Sequence, residues 1–416
     1  MLAIFYFRDL LWYMNSPLRF AGLRNRVSAA ALGVICALFL DYFHKPNFDI
    51  YSYIHAYRLM FKYSSWHQEV EQASKHRAKK FKLAEQGLNT HENHEKFDDI
   101  VIVVVGESVR HQNMQLYGYS RPTTPFLNQR KYELLIFEKA ISPATSTVLS
   151  LKHVLTPLRP GDKKMLINQP SLVSEARLAG FKTSWITNTY FLGCHASPIT
   201  IMARDAHELR PTSLETRNEK FRRYDGVVLP VVDELLTKQG KEKKFIFIGT
   251  MGSHAIFRYR YPPEFTKFKP VIENDANYHP DLAKEIVNAY DNSILYTDWL
   301  LNELITRLEK NGRPATLIYF SDHGKRLYDD GKTINHGFAA PTKVEVDVPL
   351  ILWQSKNSRC KAEGLSGHTN QLFNLSDLYH LAKFATRIDM KAPAIEFDPN
   401  VFIHNKVMNY HQIPKG

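Results

Sequence analysis

The sequence predicts an α/β fold, a mostly parallel sheet with helices on both faces, beginning near residue 98. Two observations predict it. Short runs rich in Val, Ile and Phe alternate with amphipathic helical stretches, the pattern of successive strand–helix units. The first of those runs is apolar throughout, as strands covered on both faces are. The chain has 416 residues, 44% of them apolar, enough for one large domain or two.

The segment before residue 98 has a different character. Val27 to Phe43, VSAAALGVICALFLDYF, contains one charge, Asp41. Its length meets the lower edge of the roughly 17–25 residues that span a bilayer. Arg19, Arg24 and Arg26 precede it, and only Lys45 follows closely. The positive-inside rule then places the N-terminus in the cytoplasm and the chain from about residue 46 outside. No A-x-A-like site follows the apolar run, which argues against a cleaved signal peptide. The expected organisation is therefore an N-terminal membrane segment over 1–45 with one span. Residues 46–97 follow as an interfacial helix and a charged linker, and 98–416 as a catalytic domain. His91, Glu92, His94 and Glu95 belong to that linker and read as solvated. A mean hydropathy of −0.33 excludes a polytopic membrane protein as a whole.

In chain order, DIVIVVVG (99–106), KTSWITN (182–188), KKFIFIGTMG (243–252) and ATLIYFSDHG (315–324) read as strands. LPVVDELLTKQ (229–239) and DNSILYTDWLLNELITRLEKNG (291–312) read as helices. Three of the strands end on chemistry: the first on Glu107, the third on His254, the fourth on Asp322 and His323, with His336 a little further on. Ligands of open α/β sheets gather outside the carboxyl ends of the strands. Asp, Glu and His together are what zinc binds, and a catalytic site keeps one position open. The hydroxyl-rich segment SPATSTVLSLKHVL (142–155) leads into a helical pattern. Its Ser and Thr residues read as caps. The same geometry would aim backbone N–H groups at a phosphate, with Thr147 at the helix N-terminus.

The net charge of +12 and pI near 9.3 call for an acidic partner, whether nucleic acid, anionic lipid or a phosphorylated glycan. Neither zinc-finger spacing nor an RNA-binding aromatic signature is present, so no nucleic-acid partner is expected. Cys36, Cys194 and Cys360 form no C-x-x-C and are too few for a disulfide framework. DGKT (330–333) is not a phosphate loop, because Arg326 stands where its first glycine is required.

Taken together, VVVVGESVRHQNMQLYGYSRPTTPFL, the Thr-Ser-Thr segment, TMGSHAIFRYRYPPEF, YDNSILYTDWLL and SDHGKRLYDDGKTINHG resemble the phosphoethanolamine transferases. These are membrane-anchored enzymes of the alkaline phosphatase/sulfatase superfamily, and the resemblance covers roughly residues 98–390. It implies an alkaline phosphatase/sulfatase-like fold and a zinc ion held by Glu107, Thr147, Asp322 and His323, with Thr147 as nucleophile. It also implies that His254 and His336 contact the phosphoethanolamine group or a second zinc, orienting the phosphate or shuttling protons, and that Asn188 contacts substrate. The implied reaction moves phosphoethanolamine from phosphatidylethanolamine to a lipopolysaccharide acceptor, core sugar or lipid A, through a phosphothreonine. The implied place is the bacterial inner membrane, with the catalytic domain facing the periplasm.

The chain departs from that pattern in stated ways. Pro143 and His153 stand where members acting on lipid A carry cysteines, so that family disulfide is impossible here. Lys325 stands at a usually acidic position, and the lysine that often follows the Asn188 motif has no clear match in NTYFLG. A sulfatase would need a Cys/Ser-x-Pro-x-Arg segment, which the Thr147 region lacks. The remaining alternatives are a glycerol-phosphate or other phospho-group transferase or sulfatase-like hydrolase of the same superfamily, and a non-catalytic, membrane-tethered glycan-binding protein.

Overall fold

A computed structural model describes residues 98–163, 169–189, 198–212, 223–238, 240–272, 278–359, 362–385, 398–403 and 406–415. The expected span at 27–43 and the segment 46–97 lie outside the described residues. Among the described residues, no helix is long and apolar enough to cross a membrane.

The sheet has seven strands: β1 (Ile100–Gly106), β2 (Leu134–Ile136), β3 (Lys182–Thr187), β4 (Glu208–Pro211), β5 (Lys244–Gly249), β6 (Ala315–Ser321) and β7 (Leu350–Gln354). Their order is β2-β7-β6-β1-β5-β3-β4. Strands β6, β1, β5, β3 and β4 run parallel, while β7 pairs antiparallel with both β6 and β2. The mostly parallel sheet is thus observed, with an antiparallel edge that the sequence had not marked.

β1 is central and buried along its whole length, and its side chains divide strictly between two cores. Val101, Val103 and Val105 face one core, shared with Leu151 and Val154 of α1 (Thr147–Val154), with α2 (Leu172–Leu178), and with Leu378 and Leu381 at the C-terminal end of the domain. Ile100, Ile102 and Val104 face the other, shared with α3 (Val228–Thr237) and α4 (Ala283–Asn311). This is the period-two alternation of a strand, with an apolar residue required on both sides because helices cover both.

Helix α4 starts at Ala283, eight residues before the predicted start at Asp291. Asp291-Asn292-Ser293 looks like a helix-capping triplet in sequence, yet all three are buried in mid-helix. Asp291 accepts from Asn113, Tyr119 and Arg121, Asn292 accepts the N–H groups of Lys267 and Phe268, and Ser293 meets Ser253. Tertiary partners, rather than a helix end, account for the polar cluster.

Register sets the strand ends level. Gly106 pairs with Ser321, Val105 with Gly249, and Gly249 with Thr187. Glu107, Asp322, Asn188 and the turn leading to His254 therefore leave the same edge of the sheet. Gly106 serves there by its lack of a side chain: a Cβ would lie 2.6 Å from the Tyr319 hydroxyl. The left-handed backbone of this turn belongs to Ser108, at φ 60°.

A short antiparallel pair, Asn400–Ile403 with Lys406–Asn409, closes over the Thr147 segment. Phe402 N–H donates to Pro143 O at 2.6 Å, Ala144 bridges Phe402, and the His153 ring meets Phe402 edge-on at 5.9 Å. The two positions expected to lack a disulfide are held instead by this clasp.

Candidate active site

Thr147 is the first residue of α1, and Ser146 at its N-cap has extended backbone and makes no side-chain cap bond. The first amide groups of the helix are thereby not capped by Ser146, a favourable place for an anion. Ser142 ties this segment to the fourth strand end by donating to Asp322 O at 2.5 Å. Ser150 is buried with its hydroxyl 3.1 Å from that of Ser142, and Thr145 O lies 3.0 Å from His336 Nδ1. Of the neighbouring hydroxyls, Thr147 is the one placed on the acidic cluster. Its Oγ1 donates to Glu107 Oε2 at 2.9 Å and lies 3.4 Å from His323 Nε2.

His323 Nε2 lies 3.4 Å from Glu107 Oε1 and 3.5 Å from Asp322 Oδ2. Zinc–ligand bonds of about 2.0–2.1 Å at tetrahedral angles imply ligand–ligand spacings of roughly 3.3–3.4 Å. The separations of His323 Nε2 from three oxygens, those of Glu107, Asp322 and Thr147, match that spacing. His323 Nδ1 donates to Gly324 O at 2.8 Å, which turns the Nε2 lone pair towards the cluster. Glu107, His323 and His336 also present ligand atoms within 4.8 Å of one another. The His336 ring stacks on His323 at 4.0 Å between centroids, placing it beside the four-atom set.

The electrostatics call for a cation. Asp322 Oδ2 is buried and accepts no hydrogen bond among the described residues, while Oδ1 accepts from Ser108 N–H and His323 N–H. Burial raises the Asp322 carboxyl well above the usual range, and the charge of Glu107 raises it further. Burial would also raise Glu107, but the facing His323 and His254, the Ser108 hydroxyl and Lys325 outweigh it and hold it low. Two buried carboxylates this close do not both ionise without a positive ion between them. Burial also lowers His323, and burial together with His323 brings His336 down to about 3. Neutral imidazoles suit both metal ligation and contact with a phosphate. The donor set therefore fits zinc.

Ser253 N–H donates to Glu107 O at 2.8 Å, and Gly252 at φ +45° brings the His254 turn against Glu107. A Cβ on Gly252 would lie 2.8 Å from Glu107 N and 2.9 Å from its O. Gly252→Ala is expected to cost about 3 kcal/mol through strain and overlap, read as a fall in thermal unfolding temperature. Asn188 is buried, and its amide donates to Asp225 at 2.8 Å and to Arg223 O at 2.9 Å. Asp225 in turn accepts from Met251 N–H and Gly252 N–H, both at 2.8 Å. Asn188 is thus joined through Asp225 to the turn that carries His254.

Sequence reasoning did not name two residues that hold the site. Ser108 bonds both acids, its N–H to Asp322 at 3.0 Å and its hydroxyl to Glu107 at 2.6 Å. Glu345 accepts from Gly337 N–H through its carboxylate and from Gly324 N–H through its carbonyl, fastening the loops of His336 and His323. The readable signal for Glu345 was Thr342-x-x-Glu345, a capping box that the structure forms.

A cavity of about 260 Å³ opens beside Thr147. Its lining includes Glu107, Thr147, His254 and Asp322 together with the apolar Leu151, Trp185, Phe247 and Met251.

The Sulfatase family model matches residues 99–381. Among curated proteins, the chain is 30% identical over 289 residues to the phosphoethanolamine transferase EptC of Escherichia coli, covering 67% of this chain and 49% of that protein. It is 28% identical over 306 residues to the phosphoethanolamine transferase EptA of Helicobacter pylori, covering 72% of this chain and 56% of that one. The chain spans about half the length of the curated relatives it matches. Among solved structures, the C-terminal periplasmic domain of E. coli EptC in complex with Zn superposes with a TM-score of 0.71 at 26% identity. That match covers 79% of this chain and 97% of that domain. The integral membrane protein EptA of Neisseria meningitidis shares the fold, with a TM-score of 0.62 at 23% identity over 90% of this chain and 72% of its own. With its strand-end acids and histidines on one edge of a mostly parallel sheet, the chain belongs to the Sulfatase family.

Proposed function

We propose that the protein transfers phosphoethanolamine from phosphatidylethanolamine to a lipopolysaccharide acceptor, a core sugar or lipid A, through a phosphothreonine at Thr147. The observation that carries this is the position of Thr147 Oγ1, 2.9 Å from Glu107 Oε2 and 3.4 Å from His323 Nε2 at the start of a helix. The names of the relatives supply the group transferred, and their Zn-bound member supports zinc as the metal. The proposed place is the bacterial inner membrane, with the catalytic domain on the periplasmic side.

Glu107, Thr147, Asp322 and His323 would hold the zinc. When bound there, zinc favours the deprotonated threonine and offsets charge on the phosphoryl oxygens. The chain's own residues do the rest. Thr147 oxygen forms a bond to the phosphorus of phosphatidylethanolamine, the bond to the diacylglycerol oxygen breaks, and diacylglycerol leaves with a proton. An acceptor hydroxyl or phosphate oxygen then bonds to phosphorus, loses its proton and displaces Thr147. His336, whose Nδ1 is 3.0 Å from Thr145 O, keeps Nε2 for the phosphate, and His254 meets it from the third strand end. The apolar lining of the cavity limits water as a competing acceptor, which favours transfer over hydrolysis.

Intact-protein mass spectrometry tests this reading. Incubation with phosphatidylethanolamine and no acceptor should add one phosphoethanolamine to the chain, mapped to Thr147. An adduct from phosphatidylglycerol instead would make the protein a glycerol-phosphate transferase. An unmodified chain would remove the covalent route.

A further inference from the structure

Lys325 follows His323 by two residues and is 1% exposed. Its Nζ makes no hydrogen bond among the described residues. What faces the ammonium is the Phe257 ring at 5.3 Å, on the loop just after His254. Burial works against its charge, Glu107 and Asp322, the two acids of the metal cluster, favour it, and Arg260 opposes it. A buried ammonium with three unmet donors is costly unless something with acceptor oxygens arrives. A transferring phosphoryl group brings three.

We infer that Lys325 is a substrate-binding residue carrying the second positive charge of the site: its ammonium takes a non-bridging phosphoryl oxygen and confines the site to a single metal ion. The assignment rests on the phosphoryl-transfer reading of Thr147. A second divalent cation beside a buried ammonium would meet strong repulsion in a low-dielectric setting. The backbone fixes the position as well, since Lys325 O accepts from Arg110 Nη1 at 3.2 Å, and Arg110 is paired with Asp329 at 2.8 Å. A fixed cation of this kind needs no metal to be recruited before substrate binds.

The test counts zinc by elemental analysis on the full chain in detergent and measures inorganic phosphate binding to the zinc-loaded protein by calorimetry. The wild type should hold one zinc per chain. Lys325→Met should keep that zinc and bind phosphate about tenfold or more weakly, as expected for loss of a charged hydrogen bond. Lys325→Arg should retain most of the affinity, and Lys325→Glu should gain a second zinc. Two zinc ions in the wild type would overturn the assignment, as would a folded Lys325→Glu chain with one zinc. So would phosphate affinity in Lys325→Met equal to that of the wild type; should Lys325→Glu not fold, the methionine variant still decides. One zinc and Lys325-dependent phosphate binding without any Thr147 adduct would leave this assignment standing and remove the transfer reading.

Discussion

Thr147→Ala is expected to abolish phosphoethanolamine transfer, with a loss in kcat on the order of 10⁶-fold, the scale seen when a covalent nucleophile is removed. Binding of phosphatidylethanolamine should survive, because Glu107, Asp322 and His323 remain to hold the zinc, while one ligand and the Thr147 hydrogen bond to Glu107 are lost with the nucleophile. The adduct seen with the wild type should vanish from the mass spectrum. Thr145→Ala and Ser150→Ala act as the controls. Thr145 meets His336 through its carbonyl oxygen, which alanine keeps, and Ser150 packs against Ser142. Both variants should turn over. A Thr147→Ala chain that still transfers, or an adduct mapped to Ser146, would assign the nucleophile elsewhere.

Asp322→Asn should lose zinc and activity together while the domain stays folded. The amide oxygen of asparagine can still accept the Ser108 and His323 N–H groups now held at 3.0 and 2.8 Å. What disappears is the charge. Asp322→Ala would remove that acceptor as well and add about 1–3 kcal/mol of lost hydrogen bonding, so asparagine is the cleaner variant. Its fall in zinc affinity should exceed the roughly 10–100-fold that loss of an outer hydrogen-bonding partner costs. Chelation should lower the thermal unfolding temperature of the wild type, because zinc binds only the folded cluster, and should leave Asp322→Asn unchanged. Stoichiometric zinc retained by the variant would remove Asp322 from the ligand set.

The parallel core was legible because its strands are buried on both faces, so the sequence shows unbroken apolar runs at 100–106, 245–249 and 317–320. The antiparallel edge was not, since the direction of Leu350–Gln354 is set by its pairing with β6 and β2, which a short apolar run does not show. At the site, Glu107, Asp322 and His323, which the structure brings together, could be read from the ends of strands. The residues that hold them could not, because their roles depend on neighbours far along the chain. Ser108 reaches Asp322, 214 positions away. Asn188 shows the same limit: its motif resembles a substrate contact, yet its amide bonds to Asp225, behind the His254 turn. Glu345 reads as a local cap, and only the fold shows that it serves two histidine loops.

The clasp over the Thr147 segment has a consequence for the chemistry of its surroundings. A disulfide joining the positions of Pro143 and His153 would persist only where the reduction potential of the compartment keeps it oxidised. Here the hold includes a hydrogen bond from Phe402 N–H to Pro143 O and one edge-on ring contact with His153. No thiol reagent acts on either group. The aim of the nucleophile is therefore independent of oxidative folding machinery, and a strong reductant should leave transfer at full rate.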